Sequence, residues 1–142
     1  MTEFLADTEA TEAIGARLLK QLPEKCVIFL HGDLGAGKTT LVRGFLRALG
    51  YTGAVKSPTY TLVEQYDVSG KQVCHFDLYR LNSPEEMDYL GFADYLEQAD
   101  VCWIEWPEKA YGYLSLPTIE IFLDYQATGR MIKILGLANK EI

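Results

Sequence analysis

Residues 32 to 39 read Gly32-Asp33-Leu34-Gly35-Ala36-Gly37-Lys38-Thr39. The apolar run Cys26-Val27-Ile28-Phe29-Leu30 precedes them, and Leu41, Val42, Phe45, Leu46 and Leu49 follow at helical spacing. No other stretch limits the fold as much. The pattern G-x-x-x-x-G-K-[ST] arises by accident in roughly half a percent of chains this long. A strand before it and a helix after it is the setting it requires. That setting belongs to an α/β sheet, parallel near the loop.

The residue types in the loop point to an anion. Gly32, Gly35 and Gly37 reach backbone angles closed to other residues, so successive N–H groups can turn toward one point. A helix starting near Lys38 adds the positive end of its dipole. Lys38 is spaced to reach β- and γ-phosphates, and the Thr39 hydroxyl to bind Mg²⁺. The expected ligand is a nucleoside triphosphate with magnesium, held by Gly32, Asp33, Leu34, Gly35, Ala36, Gly37, Lys38, Thr39 and Thr40. A loop of this kind needs a second acid for the metal, usually at the end of an apolar strand. Val101-Cys102-Trp103-Ile104-Glu105 fits, with Glu105 as the acid and Asp77 as its main rival.

The remaining segments read as alternating elements. A helix is expected over residues 8 to 22, capped by Asp7 or Thr8 and ended by Pro23. The loop helix stops at Gly50. Residues 59 to 66 and 72 to 78 read as strands of a hairpin around Ser69-Gly70. Ser83-Pro84-Glu85-Glu86 reads as a capping box opening a helix to residue 98. Residues 118 to 125 and 130 to 137 flank Ala127-Thr128-Gly129 as a terminal hairpin. The expected fold is α/β: a P-loop NTPase-like sandwich with a central, largely parallel sheet, antiparallel hairpins and helices on both faces. A chain of 142 residues, 49% hydrophobic, is expected to form one domain over 1–142.

Charge and cysteine usage exclude several classes. A net charge of −7 argues against this chain gripping a nucleic acid backbone, which takes clustered Lys and Arg. If RNA is involved, another protein is expected to hold it. No apolar stretch nears the ~20 residues that span a bilayer. Met1-Thr2-Glu3-Phe4 lacks the marks of a signal peptide, so a cytoplasmic location is expected. Cys26, Cys74 and Cys102 form no C-x-x-C pair and lie in apolar runs, so buried, inert thiols are expected.

Four blocks then occur in order: the loop through Thr40, Ser57-Pro58-Thr59-Tyr60-Thr61-Leu62, His75-Phe76-Asp77-Leu78-Tyr79-Arg80, and Glu105-Trp106. Together they resemble the signature of the TsaE (YjeE) family, over about residues 7 to 135. Members are small bacterial ATPases needed to make N6-threonylcarbamoyladenosine in tRNAs that read codons beginning with A. The resemblance implies that Thr39 and Glu105 hold Mg²⁺ and that Lys38 and the loop bind ATP. It implies that residues 57 to 61 form a switch-type loop with Thr61 near the γ-phosphate. Asp77 would be the essential aspartate, orienting the attacking water or binding magnesium through water. Thr8 and Thr11 would approach the adenine, and Trp106 would stand beside the metal acid. Hydrolysis would be weak alone and promoted by docking on TsaB and TsaD. Outside the resemblance, Arg130 in the last turn could reach a nucleotide or a partner, or be solvated. Tyr60 and Tyr79 read as strand packing, and neither His31 nor His75 as a catalytic base.

The rival functions differ in what they need. A small-molecule kinase using the same loop is the main alternative, but no lid-like arginine cluster appears. A regulatory GTPase would carry N-K-x-D, and Asn139-Lys140-Glu141-Ile142 lacks the Asp. A nucleotide-dependent scaffold remains open. The partner-activated ATPase that the resemblance implies is favoured, and the lack of an obvious stimulating arginine in the sequence near the loop agrees with it. Such a group contributes about 10³ to 10⁵ in rate, and Arg80, Arg43 or a partner residue are the candidates.

Overall fold

A computed structural model describes residues 1–33 and 35–136. In chain order the elements are β1 (Thr2–Leu5), α1 (Thr8–Leu19), β2 (Cys26–His31), α2 (Lys38–Leu49), β3 (Val63–Val68), β4 (Lys71–Asp77), α3 (Glu86–Tyr89), α4 (Phe92–Gln98), β5 (Val101–Glu105), a 3₁₀ turn (Pro107–Ala110), β6 (Ile119–Gln126) and β7 (Gly129–Leu135). The strands form one seven-stranded sheet in the order β1-β7-β6-β2-β5-β4-β3. The pairs β6–β2, β2–β5 and β5–β4 are parallel. Antiparallel pairs, β1–β7, β7–β6 and β4–β3, flank them on both sides. This is the expected α/β architecture.

Apolar alternation explains the layers. Ile28, Leu30 and Trp103 turn to one face and pack with Ile14 and Leu18 of α1 and Leu41, Phe45 and Leu46 of α2. Phe29, Cys102 and Ile104 turn to the other and pack with Met87 and Phe92 of α3 and α4. Strands buried on both faces read as continuous apolar runs for this reason. The two large helices also approach closely. A Cβ on Gly44 would stand 2.2 Å from the Glu12 carbonyl oxygen, and one on Gly15 2.4 Å from that of Leu41.

Four boundaries differ from the sequence reading. β1 was not expected; its four residues carry too little pattern, and pairing with β7 creates it. The run from Thr59 enters its strand only at Val63. Before that the Leu62 N–H closes a turn onto the Pro58 carbonyl at 2.8 Å, and Leu62 takes φ 69°. The helix expected over 83–98 is broken at Gly91, φ 71°, into α3 and α4. Glu86 does not close a capping box there, because the helix begins at Glu86 itself, and its carboxylate accepts from the Asn82 N–H. Helix α1 ends at Leu19, with the Leu22 N–H still returning to the Leu18 carbonyl. Leu34 and the tetrad 139–142 lie outside the described residues.

Candidate functional site

The site forms where β2, β5 and β4 end together, the usual ligand position in a parallel sheet. β2 leads into the loop, and α2 rises from Gly37, which takes φ 106° and provides no side-chain cap. Gly35 has φ 80°. Glu105 ends β5, opposite Leu30 on one side and Asp77 on the other.

Lys38 is buried at the centre. Its Nζ donates to the Gly32 carbonyl at 2.6 Å, lies 3.2 Å from Glu105 Oε1, and sits 4.8 Å from the centre of the Trp106 ring. Glu105 is also buried, and its Oε2 is hydrogen-bonded to Nε2 of the fully buried His75. Burial alone would raise the Glu105 carboxyl. The His75 hydrogen bond and charge, and the Lys38 cation, more than offset it and hold the group below its ordinary 4.5. Glu105 is therefore an anion at neutral pH. Trp106 follows in the left-handed region, φ 56°, a strained conformation for a side-chain-bearing residue and one that collects at functional sites.

Asp77 completes the floor. Its Oδ2 accepts from Thr59 Oγ1 at 3.0 Å and its Oδ1 from the Tyr79 N–H at 3.0 Å. Thr59 and Ser57 share a further hydroxyl hydrogen bond at 2.8 Å. These groups line a cleft of about 180 Å³ with Gly35, Gly37, Thr39 and Thr40. A second cavity of about 230 Å³ adjoins it through Gly37 and Thr40, lined by Asp7, Thr8, Thr11 and Arg130. Asp7 also caps α1, accepting from the Ala10 N–H at 2.8 Å.

The sequence-derived residues fall into four groups. Lys38, Thr39, Thr40, Asp77 and Glu105 meet in the cleft, and Thr8, Thr11 and Arg130 meet in the cavity beside it. Thr61 stands apart: it is exposed, and its hydroxyl bonds Glu64 at 3.2 Å. Thr59 lines the cleft, because the turn at 58–62 directs position 59 toward Asp77. Gly32 and Asp33 line a separate cavity with His31, Trp106, Glu108 and Asp124. His31 stacks on Phe122 and bonds Glu120 at 2.8 Å. The contacts of Thr59, Ser57 and His75 were missed. His75 was legible in principle: it lies two residues before Asp77 on β4 and so shares its face.

Among the described residues, no cluster of three or more His, Cys, Asp or Glu is arranged as a metal cage. The donor set is instead a hydroxyl and a buried carboxylate beside an open cleft. That suits Mg²⁺, which is commonly bound by one or two carboxylates together with phosphates and water.

A family model described as "Threonylcarbamoyl adenosine biosynthesis protein TsaE" matches residues 5–132. The chain belongs to the TsaE family. It is 44% identical over 144 residues to the tRNA threonylcarbamoyladenosine biosynthesis protein TsaE of Haemophilus influenzae, covering 98% of this chain and 91% of that protein. It is 39% identical to the Bacillus subtilis TsaE, covering 81% of this chain and 72% of that one. A crystal structure of Bacillus subtilis YdiB superposes with TM-score 0.78 at 27% identity, over 98% of this chain and 86% of that one. TsaE membership assigns the chain a role in threonylcarbamoyladenosine biosynthesis in tRNA. Among the described residues, no helix is long and apolar enough to cross a membrane.

Proposed function

We propose that this chain is a Mg-ATP-binding ATPase that acts with TsaB- and TsaD-type partners in tRNA threonylcarbamoyladenosine modification, slowly alone and faster when docked on them. The convergence of Lys38, Asp77 and Glu105 at the ends of adjacent strands carries this reading. Lys38 supplies a cation for the β- and γ-phosphates. The uncapped start of α2 offers its amides to the same anion. Thr39 and Glu105 would hold magnesium, which when bound neutralises charge on the phosphates. Asp77, oriented by Thr59 and the Tyr79 amide, positions the attacking water. Thr8, Thr11 and Arg130 frame the cavity that would take the nucleoside.

The arginines support partner stimulation. Arg43 pairs with Glu12 at 3.6 Å, and Arg80 lies over the Tyr60 ring at 4.3 Å. Neither lines the cleft, and Arg130, which does reach the loop, lines the adjoining cavity with its guanidinium donating to the Gly35 and Ala36 carbonyls. A charge for the transition state would then come from a partner, or from Arg80 released on docking. The net charge of −7 fits an arrangement in which the partners hold the tRNA.

Reconstitution with the two partners, following phosphate release and modified tRNA together, tests the proposal. Stimulated phosphate release that tracks modification is expected. Equal rates with and without partners, or phosphate transferred to a metabolite instead of water, would overturn it.

A further inference from the structure

The terminal hairpin reaches the phosphate loop from the side opposite β5. Tyr125 on β6 and Arg130 on β7 are register partners, and the Arg130 guanidinium lies over the Tyr125 ring at 4.1 Å. Both act on backbone oxygens of the loop. The Tyr125 hydroxyl donates to the Gly35 carbonyl, Arg130 Nη2 donates to the same oxygen at 3.3 Å, and Arg130 Nε donates to the Ala36 carbonyl at 2.9 Å. A Cβ on Gly35 would stand 2.7 Å from the Tyr125 oxygen, so the tyrosine fills the space a side chain there would need.

We infer that Tyr125 is a positioning residue for the triphosphate: with Arg130 it holds the loop carbonyls from behind, so that the loop is set before a ligand arrives. The inference rests on the reading of residues 32 to 39 as a triphosphate site. The physical reason lies in the peptide unit. A trans peptide carries its N–H opposite its carbonyl, so a donor on the Ala36 oxygen turns the Gly37 N–H the other way. Gly37 lines both cavities. Glycine-rich backbone has wide conformational freedom when unrestrained. A loop already held binds an anion without first losing that freedom. The aromatic ring beneath Arg130 keeps the guanidinium in place, so Tyr125 acts both directly and through Arg130.

Tyr125 is 52% exposed, so its substitution leaves the core intact. Two variants separate its roles in the full chain: Tyr125→Phe removes the hydroxyl and keeps the ring, and Tyr125→Ala removes both. With no nucleotide present, amide hydrogen exchange at Ala36 and Gly37 is expected to quicken in both variants, more in Tyr125→Ala, with the melting temperature unchanged. With ATP, the KM of Tyr125→Phe is expected to rise about three- to tenfold, the effect of one lost hydrogen bond, with kcat retained. Unchanged exchange together with unchanged KM would overturn the inference. So would a fall in kcat and stability with no change in KM, which marks a merely structural residue. A wild-type chain that fails to bind ATP would instead overturn the functional reading, while the exchange measurement still decides whether Tyr125 holds the loop.

Discussion

Asp77 and Glu105 stand directly opposite one another in register, at the ends of adjacent parallel strands. Their surroundings differ. Both are buried, but Glu105 lies against Lys38 and His75, whereas Asp77 is held by a hydroxyl and a backbone amide. Two acids in unlike environments do not substitute for one another.

The Asp77→Asn variant should therefore separate binding from chemistry. Turnover is expected to fall about 10²- to 10⁴-fold, the usual contribution of a group that positions or activates the nucleophile. ATP affinity should stay within about threefold, since Lys38 and the loop are untouched. Nucleotide titration beside phosphate release makes the comparison; parallel collapse of both would count against the assignment.

Thr59 and Thr61 should differ sharply. The Thr59 hydroxyl donates to Asp77, while that of Thr61 donates to Glu64 at the surface. Losing a hydrogen bond to a charged group corresponds to about 10- to 100-fold. Thr59→Val is expected to lose about that much in kcat, and Thr61→Val to remain near wild type. Reversed effects in a turnover assay would favour the original expectation for Thr61.

Removing the Glu105 charge should have a pH-dependent cost. The folded carboxyl is held below 4.5, so its stabilisation is complete above that value and fades as pH falls through the lower folded value. Glu105→Gln removes the anion beside Lys38, which keeps the Gly32 carbonyl and the Trp106 ring, and is expected to cost about 3 kcal/mol near pH 7. The gap to wild type should narrow below pH 4.5. Urea midpoints measured from pH 7 downward follow it, and a gap independent of pH would contradict the coupling.

Gly44→Ala should destabilise although alanine is the better helix former. On an isolated helix the change would gain about 1 kcal/mol. Here the new methyl meets the Glu12 carbonyl oxygen at 2.2 Å, backbone that cannot step aside without moving α1. A net loss of about 1–3 kcal/mol is expected. A stabilised variant in chemical denaturation would mean the helices are not so closely crossed.

The three cysteines should resist thiol reagents in the folded chain. Burial pushes the Cys26 thiol up to about 11 and raises those of Cys74 and Cys102. Reaction at mildly alkaline pH is expected only after unfolding, when all three become available. Rapid labelling of the native protein would show that these strands open readily.

Local chemistry marked much of this molecule in advance. The glycine spacing around Lys38 and the apolar run ending in Glu105 were legible because each depends on neighbours within a few residues, whereas Asp77 stood out through the family resemblance. So were β2, α2 and both hairpins, whose periods and turn residues agree. Where local signals conflicted, the reading failed. Residues 59 to 62 carry β-branched and aromatic side chains, yet the turn after Pro58 and the Leu62 conformation override them. Gly91 lies inside a helical pattern and ends α3 because it takes the left-handed conformation.

By itself the sequence determined the class of fold, the loop with its lysine, and the apolar strand that ends in Glu105. Those properties reside in short segments whose residue types admit few conformations. Tertiary structure alone decided that Asp77 meets Glu105, that Thr59 rather than Thr61 reaches Asp77, that His75 lies behind the buried acid, and that Tyr125 touches Gly35. Each of those contacts joins distant or differently turned backbone, and strand register and crossing distance, which no local pattern encodes, bring the atoms together.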